Sequence, residues 1–181
     1  MKTRLDTFNN SWYKPGNPLK RILWYCTSYV FLESAFPINS IKKLVLRMFG
    51  ATIGKGVVIK PNVQIKYPWK LKVGDYSWIG EHVWIDNLAE VTIGSHCCIS
   101  QGALLLTGNH DYRKSTFDLV IGEIKLEDGS WVGAKSTVCP GVTLHDHAVL
   151  AVGSVATKNL DSSSIYQGNP AVKIRDRVIK E

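Results

Sequence analysis

The sequence predicts an all-β solenoid, a coil of short strands that stacks on itself and buries one side chain per strand. Two features of the 181-residue chain carry that expectation: a six-residue beat of aliphatic residues, and small residues at fixed offsets from it. The beat reads Ile53, Ile59, Ile65, then Val73, Ile79, Ile85, then Ile93, Ile99, Leu105. After an interruption it resumes as Leu126, Val132, Val138, Leu144, Leu150. Every position is Ile, Leu or Val, types that supply only 48 of the 181 residues, so chance does not produce the run. The residue after the aliphatic is often glycine (Gly54, Gly74, Gly80, Gly94, Gly133), and the residue four on is often small (Val57, Val63, Ser77, Ala103, Ser130, Ser136, Ala148, Ser154).

Six residues make one short strand plus a corner, and three such units close a triangular coil. The aliphatic points inward and stacks on its equivalent in the next coil, while glycine or a small residue lets the backbone turn where a branched side chain would clash. Coils beginning at Ile53, Val73 and Ile93 repeat two residues later than three six-residue units allow, which predicts a two-residue bulge at one corner. Units of this kind bury each other by stacking. Strand alternation in a sandwich would give a period of two without the longer beat.

The remaining segments follow. Residues 1–49 read as an extended arm and then helical segments, punctuated by Pro18, Pro37 and Gly50. Apolar residues at 22, 23, 25, 26, 29, 30 and 32 form a broad stripe that something must cover. The solenoid occupies 50–160, with residues 106–124 breaking the beat as a loop. A loop of that length inside a compact repeat is uncommon unless it is functional. Residues 161–181 close the chain, with 171–180 expected as a short basic helix, or a strand end, on the last coil.

Composition narrows the function classes. Apolar residues are 45% and charged residues 20%, which is globular rather than disordered. The net charge of +7 is uneven: residues 1–50 hold eight basic and two acidic side chains, and the rest hold 14 and 13. An argument for a polyanion or membrane surface therefore concerns the first 50 residues, and no nucleic-acid partner is expected. The run Ile22–Phe36 is too short to span a bilayer and contains Thr27, Ser28 and Glu33. Cys26, Cys97, Cys98 and Cys139 form no C-x-x-C pair, so they read as small half-buried residues of a reducing compartment.

The repeats, together with Thr107-Gly108-Asn109-His110-Asp111, Trp131-Val132-Gly133-Ala134 and Tyr166-Gln167-Gly168-Asn169-Pro170-Ala171, resemble the hexapeptide-repeat acyltransferases. Trp84-Ile85-Asp86-Asn87-Leu88 and His110-Asp111-Tyr112 are most similar to the acetyltransferases of exopolysaccharide (colanic-acid-type) synthesis. The resemblance covers about residues 50–175. It implies a left-handed parallel β-helix, an exception to the usual right-handed crossover. It also implies acetyl-CoA as acyl donor with no metal required, a sugar or lipid-linked sugar acceptor, a homotrimer with sites between neighbours, and a cytoplasmic setting.

His110 stands apart from His82, His96, His145 and His147 because it lies in the interrupting loop. In the family the equivalent histidine is the general base. An alcohol attacking a thioester must lose its proton as the C–O bond forms, and imidazole titrates near neutral pH. The resemblance also places Asn87, with Asp86 and His82 as neighbours, at the acceptor. The resemblance likewise implies a coenzyme A groove along Trp131, Ala134, Val152, Thr157, Lys158 and Arg175, with Lys173 as a further cation. Three other readings remain open at this stage: a xenobiotic (antibiotic) acetyltransferase, a non-catalytic β-helix scaffold, and a zinc enzyme on the same coil. Against zinc, the residue five beyond His110 is Ser115, and His145-x-His147 has no obvious third ligand. The basic, apolar N-terminal segment is expected either to pack on the β-helix or a trimer partner, or to touch anionic lipid at the inner face of a membrane.

Overall fold

The computed structural model describes residues 2–180. Two helices, α1 (Pro18–Phe31) and α2 (Asn39–Met48), precede five triangular coils. The first coil holds β1 (Thr52–Ile53), β2 (Val58–Ile59) and β3 (Gln64–Ile65); the second holds β4 (Leu71–Val73), β5 (Trp78–Ile79) and β6 (Trp84–Asp86). The third holds β7 (Val91–Ile93), β8 (Cys98–Ile99) and β9 (Leu104–Leu106), after which β10 (Gly108–His110) and β11 (Leu119–Ile121) leave the coil. The fourth holds β12 (Ile124–Leu126), β13 (Trp131–Val132) and β14 (Thr137–Val138), and the fifth β15 (Thr143–Leu144), β16 (Val149–Leu150) and β17 (Val155–Ala156). The chain ends in β18 (Ser164–Gly168) and β19 (Ala171–Asp176). Parallel pairing builds three faces, in the orders β1-β4-β7-β12-β15, β19-β18-β16-β13-β8-β5-β2 and β17-β14-β9-β6-β3. The fold is a left-handed parallel β-helix.

Each position of the beat points inward, and none is more than 6% exposed. Ala156 extends the ladder by one further step. The small residues four on are also buried, and their hydroxyls tie coils together: Ser77 Oγ donates to Gly94 O (2.7 Å), and Ser136 Oγ to Ala151 O (2.7 Å). The first two corners of each coil turn through one left-handed residue, Gly56, Tyr76, His96, Gly129 and His147 at one and Asn62, His82, Gly102, Lys135 and Gly153 at the other, with φ between 54° and 67°. At Gly74 the coils approach so closely that a Cβ would lie 2.6 Å from the backbone of Gly94. The third corner takes the extra residues. Ile65 to Val73 and Ile85 to Ile93 each include two more than the beat, and these bring in the buried Leu71 and Val91.

The helices cap the open end of the first coil. Leu32, Val45, Leu46 and Trp24 close its apolar interior. The unpaired strand edge is met group by group: Asn39 Nδ2 donates to Val57 O (2.9 Å), and its Oδ1 accepts from Ile59 N (2.9 Å). Trp24 Nε1 donates to Ile65 O (2.8 Å), Arg47 to Ile53 O (2.6 Å), and the buried Lys42 ammonium to Ile59 O (3.3 Å). Desolvation holds the Lys42 pKa below its ordinary value.

At the other end the structure takes the strand alternative and not the helix. Residues 171–176 form β19, antiparallel to β18, so a hairpin covers the last edge of the second face. Val172-Lys173-Ile174-Arg175 alternates with the period of a strand, and the exposed edge of β18 supplies the hydrogen-bonding partner that a helix would forgo.

Two stability outcomes follow. Ile79→Ala should cost about 2–5 kcal/mol, because the neighbouring coils cannot collapse into the gap. Asn39→Ala should cost about 1–3 kcal/mol by leaving the groups at Val57 and Ile59 without partners. Urea unfolding of each variant measures both.

Candidate functional site

The interruption at 106–124 stands off the third corner as a hairpin, with Gly108 opposite Ile121, Asn109 opposite Val120 and His110 opposite Leu119. Its base is anchored on the preceding coil. Thr107 Oγ1 donates to Asp86 O (2.8 Å) and accepts from Ala89 N (3.0 Å). Gly108 packs against the Leu88 side chain, whose tip would have to shift to admit a Cβ. The turn is held by Asp111 N donating to Asp118 O (2.8 Å) and by ion pairs from Lys114 to Asp118 and from Arg113 to Asp111.

The His110 ring is clamped. It stacks on Phe117 at 4.3 Å and 8°, meets the Phe8 ring at 5.5 Å in an edge contact, and places Nδ1 2.9 Å from Phe117 O. A carbonyl can only accept, so in the neutral ring Nδ1 carries the proton and Nε2 keeps its lone pair. The neighbouring Asp111 carboxylate is turned to Arg113 rather than to the imidazole. Phe8 and Phe117 were not singled out from the sequence. Phe117 lies within the predicted loop and could have been sought there, whereas nothing in the spacing of the N-terminal arm marks Phe8. The arm reaches the hairpin through Arg4 N, which donates to Ser115 O (2.8 Å).

At the foot of the hairpin, strand alternation separates Asp86 from Asn87. Asp86 emerges on the outer side with Trp84, beside Lys66, whose Nζ lies 2.8 Å from Oδ1 in an ion pair without hydrogen-bond alignment. Asn87 turns inward, is 0% exposed, and commits its amide to backbone: Oδ1 accepts from Tyr67 N (2.8 Å), and Nδ2 donates to Tyr67 O (2.7 Å) and Lys70 O (3.2 Å). It therefore has no free donor for an acceptor hydroxyl and instead shapes the third corner. His82 is exposed at the second corner, across the third face from Asp86, where its φ of 57° serves the turn. Asp86 opens into a groove of about 660 Å³ between α1 and the third face, lined also by Arg21, Tyr25, Gln64, Lys66 and Trp84. Nearby, burial, with Tyr67 and Asp86 adding to it, pushes the Tyr13 phenol far above its ordinary pKa, and its OH donates to Leu88 O (2.8 Å).

The residues expected along a coenzyme groove divide into two groups. On the second face, Val58, Trp78, Cys98, Trp131, Val149, Ile165 and Arg175 share one register column. Trp131 and Arg175 are thus about 14 Å apart, three strand spacings, with apolar side chains between them. Trp131 is anchored by Nε1 donating to Ser100 Oγ (2.9 Å). Ala134 and Val152 follow at the adjoining corner on neighbouring coils, where Gly153 N donates to Ala134 O (2.9 Å). Thr157 and Lys158 are exposed beyond β17, at the far edge of the third face, and do not join this column in one chain. Burial raises the thiol pKa of Cys97 and Cys139, which keeps them protonated and weak as nucleophiles. Among the described residues no group of three or more His, Cys, Asp or Glu could hold a metal ion.

Against known proteins, the chain is 41% identical over 170 residues to WcaF of Escherichia coli, named for an acetyltransferase of colanic acid biosynthesis, with 93% of each chain covered. The chain belongs to the hexapeptide-repeat acetyltransferases. Another member, the galactoside O-acetyltransferase of Escherichia coli, is 28% identical over 170 residues, covering 89% of this chain and 81% of its own. Among solved acetyltransferases of this type, one from Vibrio cholerae in complex with acetyl coenzyme A superposes with a TM-score of 0.80 at 21% identity, covering 89% and 88% of the two chains. No family model matches the sequence.

The division at the third corner gives a measurable outcome. Asn87→Ala should lower stability by about 1–3 kcal/mol, since it strands three backbone groups. Asp86→Asn, which removes only the ion pair to the half-exposed Lys66, should lower stability less than Asn87→Ala in urea unfolding.

Proposed function

We propose that the protein is an O-acetyltransferase that moves acetyl from acetyl-CoA to a sugar hydroxyl in cell-surface polysaccharide synthesis, with His110 as general base. The observation that carries this reading is the 2.9 Å contact from His110 Nδ1 to the Phe117 carbonyl, which leaves Nε2 as the proton-accepting nitrogen. Nε2 takes the hydroxyl proton as the sugar oxygen attacks the thioester carbonyl. The tetrahedral intermediate then expels the thiolate, the C–S bond breaks, and the imidazolium returns its proton to sulfur. No acyl-enzyme forms, so the cysteines are spectators. An acetyl-CoA donor supports a cytoplasmic setting for the reaction.

Trp131 walls the pantetheine strip and Arg175 meets a phosphate at its end, with Ala134 and Val152 at the adjoining corner. Thr157 and Lys158 serve the coenzyme from the far edge of the third face, which a neighbouring subunit brings near. The outer sides of the coils support a trimer. The first face presents Thr52, Lys72, Thr92, Lys125 and Thr143, which suit water, whereas the second presents Trp78 and Trp131 and the third Trp84, Leu104 and Val155. Packing the second face of one subunit on the third face of the next closes a threefold ring. Asp86, rather than Asn87, is the acceptor-facing residue, and the Escherichia coli galactoside enzyme's name makes a sugar the acceptor of choice over an antibiotic.

His110→Ala should lower kcat by about 10²–10⁴-fold while the protein still binds coenzyme A, read by a thiol-release assay and calorimetry. Full turnover in a folded His110→Ala variant would overturn its role as base. Light scattering should give three times the 20.2 kDa chain mass, and the chain mass alone at micromolar concentration would exclude the ring.

A further inference from the structure

Helix α1 buries one stripe and leaves an equally apolar one bare. Trp24 and Ser28 face the first coil, whereas Leu19, Ile22, Leu23, Tyr25, Tyr29 and Val30 are each 53–75% exposed. Neither α1 nor α2 contains an acidic residue. Lys14, Lys20, Arg21, Lys43 and Arg47 all belong to this segment, with Lys20 over the Trp69 ring and Arg47 bonded to Ile53 O, and the one acid between residues 7 and 50, Glu33, accepts a hydrogen bond from Ser28 Oγ (2.8 Å). An apolar surface of this extent in a soluble domain is a contact site.

Charge decides what covers it. A second copy of the chain brings no matching negative surface, because residues 51–181 hold 14 basic and 13 acidic side chains. An anionic bilayer supplies both an apolar interior and a negative plane. The helix is 14 residues long, about 21 Å, and among the described residues no helix is long and apolar enough to cross a membrane. A short helix with an apolar face and basic flanks lies in the interface, and tyrosines such as Tyr25 and Tyr29 seat their rings at headgroup depth. The caps sit at one end of each solenoid, so a threefold ring would present three such helices to one plane, and the three contacts would reinforce one another.

The groove that ends at Asp86 opens along this same helix, since Arg21, Ile22 and Tyr25 line it. We propose that α1 lies in the surface of an anionic membrane and that the acceptor is a sugar carried on a lipid, which enters the groove from the membrane side. The acceptor half rests on the acetyltransferase reading above; the membrane half does not.

The test floats the full chain with vesicles of phosphatidylcholine, with and without phosphatidylglycerol, at low and high salt. Flotation is expected only with the anionic lipid and is lost in high salt. Lys43→Gln should weaken it about fivefold, the effect of one cation near such a surface. Leu23→Glu with Val30→Glu should abolish it while preserving the oligomer mass and acetyl transfer to a water-soluble sugar, as neither side chain lines the groove. Leu23→Gln serves if the double variant does not fold. The same assay then compares a vesicle-embedded long-chain alkyl glycoside with its methyl glycoside, and the embedded acceptor should be used faster only by protein able to float. No flotation, or equal flotation on neutral vesicles, overturns the membrane contact. Loss of the oligomer in the double variant assigns the stripe to a subunit interface and overturns it likewise. An equal rate on the two glycosides overturns the lipid-linked acceptor. Flotation without thiol release on any acceptor would sink the acetyltransferase reading and leave the membrane contact standing.

Discussion

Each six-residue unit sends one ladder side chain into the interior, and that side chain stacks on its equivalents in the coils above and below. Everything else in the molecule answers to this constraint. No coil can bury its own interior, so stability is shared between adjacent turns, and a terminal coil is half-covered by definition. The aliphatic ladder supplies the apolar contact, and serine hydroxyls and backbone ladders at the corners fix the register between coils.

The two ends solve the open-edge problem with different chemistry. At the first coil the caps are mostly side chains: Asn39, Lys42, Arg47 and Trp24 each satisfy a backbone group that a preceding coil would have paired, and the carbonyls of Ser34 and Leu32 meet Asn62 N and Val63 N. At the last coil the cap is backbone, since β18 and β19 extend the second face as a hairpin. A buried lysine serves as a cap because its ammonium keeps a carbonyl partner, although desolvation lowers its pKa. Both devices hide parallel strand edges that would otherwise recruit other chains.

The sequence revealed the coil and the hairpin's importance, and was less informative where backbone demand decided the role of a side chain. The fourteen rungs were legible because six-residue spacing maps directly onto inward direction. Residues 171–180 left helix and strand end both open, although the alternation of Val172 and Ile174 with Lys173 and Arg175 already had a strand's period. At the third corner, resemblance put Asn87 at the acceptor beside Asp86. One step along a strand reverses the side-chain direction, so Asp86 faces out and Asn87 faces in, toward the backbone of Tyr67 and Lys70. Resemblance also put His82 near the acceptor, and it occupies a left-handed corner that Asn, Lys and Gly fill in other coils. The clamp of Phe8 and Phe117 on His110 depends on an arm more than a hundred residues away in sequence, which no local pattern could announce.

The unequal corners have a consequence for how such a chain can change. Two corners of every coil are pinned to a fixed length by their left-handed residues, while the third accommodates two extra residues in early coils, a whole hairpin in the third, and none between Val138 and Leu144. Insertions at that edge leave the rungs in register, so loops of different length and chemistry can be exchanged there without re-solving the fold. The molecule thus keeps its evolvable length along one vertical seam, and new acceptor chemistry can be tried on that seam while the rest of the coil stays constant.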